Sequence, residues 1–251
     1  MTPLLLTLWA TSLADPLVVT VEGGRVDWGR GVLCARAASS GGSGLLTSPR
    51  TLEQEAWLRL ESQLHDQAAL VRVSSDLLAG DLMAGEDPLA LRLSEGLQTW
   101  RVTTTRYRRS GQVELEAELV LRDWLRPALS GWVSADRPRR QEQGPTGLVV
   151  DARGLAVTPA LVPRLLAPDQ SVLFGPGHLV LGQLSTHPPV VWVTDPADAL
   201  ATSHAGTAPV FVGIGAVVQG SDLVLEPAQL APRDDLDAAL SRGRVVVVVD
   251  P

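Results

Sequence analysis

Residues 100–121, WRVTTTRYRRSGQVELEAELVL, decide the fold class. Ser110-Gly111 has the composition of a two-residue hairpin turn. Around that turn Arg109 faces Gln112, and alternation can be tested along both arms. Trp100, Val102 and Thr104 then share one face with Leu115, Ala117, Leu119 and Leu121. Arg101, Thr103, Thr105 and Tyr107 share the other with Glu114, Glu116 and Glu118. One apolar face and one polar face describe a half-buried hairpin. The three glutamates read as a solvated face near Arg101, Arg106 and Arg108 rather than as a cation site.

The hydrophobic period changes just upstream. Ser48 suits a helix cap and Pro49 the first helical position. Leu52, Ala56, Leu60, Leu64 and Ala68 follow at i+4 steps and make one apolar stripe. Shorter helices are expected over residues 76–83 and 88–95. Two strands are expected over 17–22 and 30–37, around Gly23-Gly24.

Beyond the hairpin, Trp124 and Trp132 flank a run ending at Ser134, and residues 135–145 are polar and arginine-rich. A linker is expected there. Residues 15–145, linker included, carry 16 Arg and 18 acids; the part after carries 5 Arg and 10 acids. Strands are expected over 147–151, 161–166, 171–174 and 190–193, with a short helix from Asp195-Pro196. A hairpin over 210–225 and a helix over 228–240 precede the all-valine strand of 244–249. Such a run is normally central and buried. The fold class that follows is α+β. Two small mixed domains, residues 15–134 and 146–251, each carry a largely antiparallel sheet with packed helices.

The first fourteen residues, MTPLLLTLWATSLA, have the shape of a secretory segment. Ser12 and Ala14 supply small side chains before a cut at Asp15. The apolar run is shorter than the roughly 20 residues of a membrane span. The periplasm is the expected destination, with outer-membrane association as its closer setting. The net charge of −7 argues against a nucleic-acid binder, which needs a basic footprint. Every basic residue other than histidine is Arg. Cys34 is the one cysteine, so there is no intrachain disulfide and no cysteine metal cluster. It reads as a small buried side chain on a strand.

Signatures of catalysis fail one by one. Gly213-Ile-Gly215 lacks the third glycine of a dinucleotide loop and runs into a strand. Gly41-Gly-Ser43-Gly-Leu45 lacks the last glycine of a nucleophile elbow. Without lysine there is no phosphate-binding Gly-Lys-Ser/Thr. His178, His187 and His204 lack metal-ligand spacing. Asp234, Asp235 and Asp237 read as helix-start carboxylates. No catalytic, cofactor-binding or metal residue is assigned, and no cofactor is expected.

One polar cluster stands out. Asp151-Ala-Arg153-Gly154 closes an apolar strand, and side chains two apart project from one face. The pair can orient each other, bind a ligand or clamp a loop. The expectation is a clamp in which a buried guanidinium bridges Asp151 and loop carbonyls. The alternative is a periplasmic ligand-binding or hydrolytic site using Asp151 and Arg153. Trp28, Trp100, Trp124 and Trp132 are candidate interface anchors, with core packing as the favoured reading.

Arg106-Tyr-Arg-Arg-Ser-Gly111-Gln-Val-Glu-Leu-Glu116, with Asp27-Trp28-Gly29 ahead of it, resembles the LPP-twenty lipoprotein family. That family includes FlgP-type outer-membrane proteins and is similar to the N-terminal domain of flagellar assembly protein T. Thr146-Gly-Leu-Val-Val-Asp-Ala-Arg-Gly154-Leu, Pro159-Ala-Leu-Val-Pro-Arg164 and Arg244-Val-Val-Val-Val-Val-Asp250 resemble the C-terminal module attached to such domains in exported bacterial proteins. The resemblance implies a non-enzymatic envelope component that binds another envelope protein or itself, linked to a flagellar or other surface machine. The chain has no lipobox cysteine, so no lipid anchor is expected.

Overall fold

Ser48 caps the first long helix as its sequence predicts. Its hydroxyl accepts from the Thr51 amide at 3.2 Å, and helix α1 (Pro49–Ala69) follows. The computed structural model describes residues 17–21, 23–41, 48–133, 144–179, 184, 187–227 and 233–251. The expected leader over 1–14 and residues 135–143 of the expected linker lie outside the described residues. Leu52, Ala56, Leu60, Leu64 and Ala68 are all buried.

The α1 stripe packs on a five-stranded antiparallel sheet made of β1 (Val18–Val21), β2 (Gly24–Asp27), β3 (Val32–Ala38), β6 (Arg101–Tyr107) and β7 (Val113–Val120). The order is β1-β2-β3-β7-β6. Ala35 and Ala37 on β3, with Ala117 on β7, are small enough for the helix to approach closely. The expected two-strand start is therefore three strands. Residues 24–27 pair on both sides, but four residues are too few for alternation to stand out.

The decisive hairpin forms, with a changed register. Arg108 N donates to Gln112 O, and Gly111 N to Arg108 O, so the loop has three residues, 109–111. Gly111 sits at φ +79°, the left-handed position such a loop needs. A bulge between Val102 and Thr104 shifts the pairing again. Before it, Val102 faces Ala117 and Arg101 faces Glu118, as alternation predicts. After it, Thr104 faces Glu116 and Thr105 faces Leu115, opposite to the expectation. Neither a bulge nor an extra loop residue is visible to a period-two count. The glutamates lie on the face away from α1, and Arg30, Arg36, Arg106 and Arg108 pair with them.

Between α1 and the hairpin, β4 (Arg72–Ser74) pairs with β5 (Leu77–Leu78), ahead of α2 (Ala79–Met83) and α3 (Pro88–Gly96). Helix α4 (Leu121–Gly131) follows β7.

The second sheet has seven strands in the order β10-β9-β13-β12-β8-β14-β11. They are β8 (Gly147–Asp151), β9 (Leu165–Leu166), β10 (Val172–Phe174), β11 (Val190–Val193), β12 (Pro209–Val218), β13 (Asp222–Leu225) and β14 (Val245–Val248). Antiparallel pairing holds for the β12–β13 and β9–β10 hairpins. The centre is parallel, with β8 between β12 and β14, and β14 beside β11. Helices α5 (Pro196–Ala201) and α6 (Arg233–Ser241) lie on connections between these strands, which makes parallel pairing possible. The valine run is buried on both faces. Val246 and Val248 pack with Val149 and Ala199 of α5; Val245 and Val247 join the larger core with Leu236, Ala239 and Leu240 of α6. The fold is α+β.

The larger core continues without a break from Leu33 and Leu60 in the first half to Leu161, Phe174 and Trp192 in the second. Leu161 N donates to Arg72 O at 3.0 Å and Val162 N to Val73 O at 2.8 Å, so the second half adds to β4. These residues were expected in a strand of their own sheet; they pair with the other half, and β9 begins only at Leu165.

Candidate functional site

At Gly213 strand β12 leaves β8. Pro209–Gly213 pair with β8, whereas Ile214 onward pairs with β13. The parting opens a depression of about 400 Å³ at the carboxyl ends of β8 and β14. Its lining is Asp151, Arg153, Gly213, Ile214, Glu226 and Asp250. Carboxyl ends of parallel strands are where open sheets of this kind bind ligands, because the loops diverge there.

Asp151 ends β8, and Arg153 folds back over it. Arg153 Nε donates to Oδ1 at 2.8 Å and Nη2 to Oδ2 at 2.6 Å, a bidentate pair. Gly154 N donates to Asp250 Oδ2 at 2.7 Å, which ties this turn to the end of β14. Hydrogen bonds from Arg153 hold the Asp151 carboxyl below the usual carboxylate range. Asp151, with help from the charges of Asp250 and Asp195, keeps Arg153 more firmly protonated. Asp195 itself caps α5 through the Ala197 amide.

The expected clamp is corrected in one respect. The Arg153 side chain is 47% exposed and that of Asp151 43%, and the guanidinium bonds to Asp151 rather than to loop carbonyls. The carboxyl end of β8, though the strand is central, opens on the depression and meets solvent, so no burial is forced on it. Glu226 and Asp250 complete the site. Only their approach across the parting of β12 reveals them, and no sequence spacing connects them to Asp151.

Core packing, the favoured reading, holds for three of the four tryptophans. Trp28, Trp100 and Trp124 are buried in the core, so they are not surface anchors. Trp124 Nε1 donates to the Leu93 carbonyl at 2.9 Å. Trp132 is partly buried and packs against the same core. Trp57, not singled out from the sequence, is 46% exposed and its ring lies 4.5 Å from that of Trp100. Its place on α1, one residue past Ala56, was the available signal. Cys34 is half-buried, and burial pushes its thiol pKa up, which makes it a poor nucleophile.

Two further clusters escaped the sequence reading because their members are far apart in the chain. Arg164 meets Asp222, Gln219 and, in the first half, Ser75. His187 and His204 bring their rings to 5.4 Å. Among the described residues no group of three or more His, Cys, Asp or Glu is arranged to hold a metal ion. No helix among them is long and apolar enough to cross a membrane.

Residues 147–251 match the family model of the second domain of Treponema pallidum Tp0624. The matched stretch begins with β8 and contains the whole depression, with Asp151, Arg153, Glu226 and Asp250. It also contains Arg164 and both histidines of the close pair. No curated protein matches the chain.

Proposed function

We propose that the protein is an exported, non-enzymatic binding module of the bacterial cell envelope. It engages another envelope protein or a second copy of itself, in the setting of a flagellar or other surface assembly. The contact surface is the depression at the end of β8. The observation that carries this reading is the bidentate Asp151–Arg153 pair, held exposed beside Glu226 and Asp250 in a concave site. A guanidinium does not give up its proton, and a carboxylate held at low pKa is a weak general base. The pair is thus suited to recognition by charge and shape rather than to proton transfer. Export is supported by the leader-like start of the chain.

The concavity also favours a second reading, a periplasmic ligand-binding or hydrolytic site using Asp151 and Arg153. Crosslinking in envelope extract from the native host separates the two. The first reading expects a defined protein adduct that Glu226→Gln and Arg153→Ala both weaken. An adduct pattern that neither variant changes overturns it. Binding of a small solute to the purified protein, lost in both variants, installs the second.

A further inference from the structure

We propose that His204 is an acid-released pin: a proton on its imidazole frees the 202–206 loop from the amino-terminal edge of β8 and β14. The loop is seated as a stopper. Thr146 Oγ1 donates to Ala205 O at 3.1 Å and accepts from Ala208 N at 2.8 Å. A side chain on Gly147 would meet Ala205 O at 2.5 Å, so the fit requires glycine. Ala205 is buried in the small core with Val149, Val246 and Val248.

His204 is a buried member of this loop, at 1% exposure. Neither ring nitrogen has a hydrogen-bond partner in good geometry among the described residues. The backbone of Pro189 and of Val245 gives a ring proton only partial support. Among the described residues the charged and titratable neighbours are all basic. His187 stands against it from the segment before β11, and Arg244 from the residue before β14. Arg122 of α4 adds to the positive field at His187. No carboxylate of the described residues is among the groups acting on the His204 ring. A neutral ring fits this place; an imidazolium has neither solvent nor counter-charge there.

The direction follows from linkage. Burial first, then His187 and Arg244, lower the His204 pKa from 6.5 to about 4. The folded loop therefore holds fewer protons than the released one. Its seating is complete above pH 6.5 and is lost as pH falls toward about 4. Within that window the release equilibrium rises by up to about tenfold per pH unit.

Hydrogen exchange on the full chain, from about pH 7.5 to about pH 4.5 and corrected for intrinsic rates, tests the pin. Peptides over residues 202–208 are expected to lose protection by about tenfold per unit below the ordinary histidine range, while α1 peptides do not. His204→Leu is expected to keep the neutral-pH protection and abolish the pH dependence. Protection over 202–208 that stays flat across the range overturns the proposal. If His204→Leu does not fold, the ring titration in the wild-type protein decides, read by NMR. A midpoint near 4 supports the pin, and one near 6.5 overturns it.

Discussion

Arg164 and Asp222 form the charged pair at the junction of the two halves. Arg164 Nε lies 2.9 Å from Asp222 Oδ2, and Asp222 is 2% exposed. The same guanidinium donates to Gln219 Oε1 at 2.8 Å and to Ser75 Oγ at 2.6 Å. Asp76 adds a carboxylate 3.7 Å away. One arginine thus neutralises a buried carboxylate of β13 and grips the loop between β4 and β5. The depression at the end of β8 belongs to the same sheet.

Arg164→Ala should destabilise the whole chain. It leaves Asp222 buried without its cation, and Asp222 Oδ1 already has no hydrogen-bond partner among the described residues. Breaking a buried pair from one side costs about 3–5 kcal/mol. The Arg164 side chain is 27% exposed, so water recovers part of that and the expectation is about 3 kcal/mol. Urea unfolding checks it. A midpoint equal to wild type refutes the role given to Arg164.

Separated halves should melt lower than the intact chain. Leu161 and Val162 are buried at the junction, and their amides bond to β4. Expressing residues 146–251 alone exposes both and frees two amides. Differential scanning calorimetry of the intact chain should show one transition, above that of either piece. Two transitions that reproduce those of the isolated pieces would show the junction to be energetically neutral.

The helix α1 was legible because capping and stripe agree over six turns, and the buried set is the stripe with Gln67 added. Val190–Val193 and the valine strand were legible from composition alone. The hairpin was legible as a pair of strands but not in register. One loop residue and one bulge each flip the faces without changing which residues are apolar. Parallel pairing at the centre of the second sheet could not be read, since a buried strand has no alternation to show. Of the site, only Asp151 and Arg153 were legible, because they are two residues apart. Glu226 and Asp250 arrive through topology, as do Ser75 at Arg164 and His187 at His204.

The tryptophans offer a contrast in stability. Trp124→Ala empties the place of a fully buried ring and removes the indole donor to the Leu93 carbonyl, which keeps the Leu97 amide. That loss is expected to cost about 3–5 kcal/mol. Trp57→Ala removes a half-exposed ring whose aromatic contact among the described residues is Trp100, a pair worth about 0.5–1.5 kcal/mol. Thermal melts of the two variants should rank in that order. The reverse order would mean that Trp57 carries packing that its exposure does not suggest.

Arg153→Ala should spare stability and change recognition. The pair sits half in water, where ion pairs contribute little to folding, so the neutral-pH melt should match wild type. The electrostatic trace is more sensitive. With the guanidinium gone, the Asp151 carboxyl should rise from its lowered value into the ordinary range, read from its carboxyl carbon by NMR. The sign for folding is that of a depressed carboxyl. Whatever stability the pair adds is present above the unfolded pKa and fades as pH falls through the folded one, so the two proteins should converge in acid. Binding at the depression should fall with Arg153→Ala at neutral pH, where folding is unaffected. A melt that drops at neutral pH would return the pair to the role of a clamp. A melt that holds with binding intact would remove Arg153 from the recognition surface and leave Glu226 and Asp250 as its polar groups.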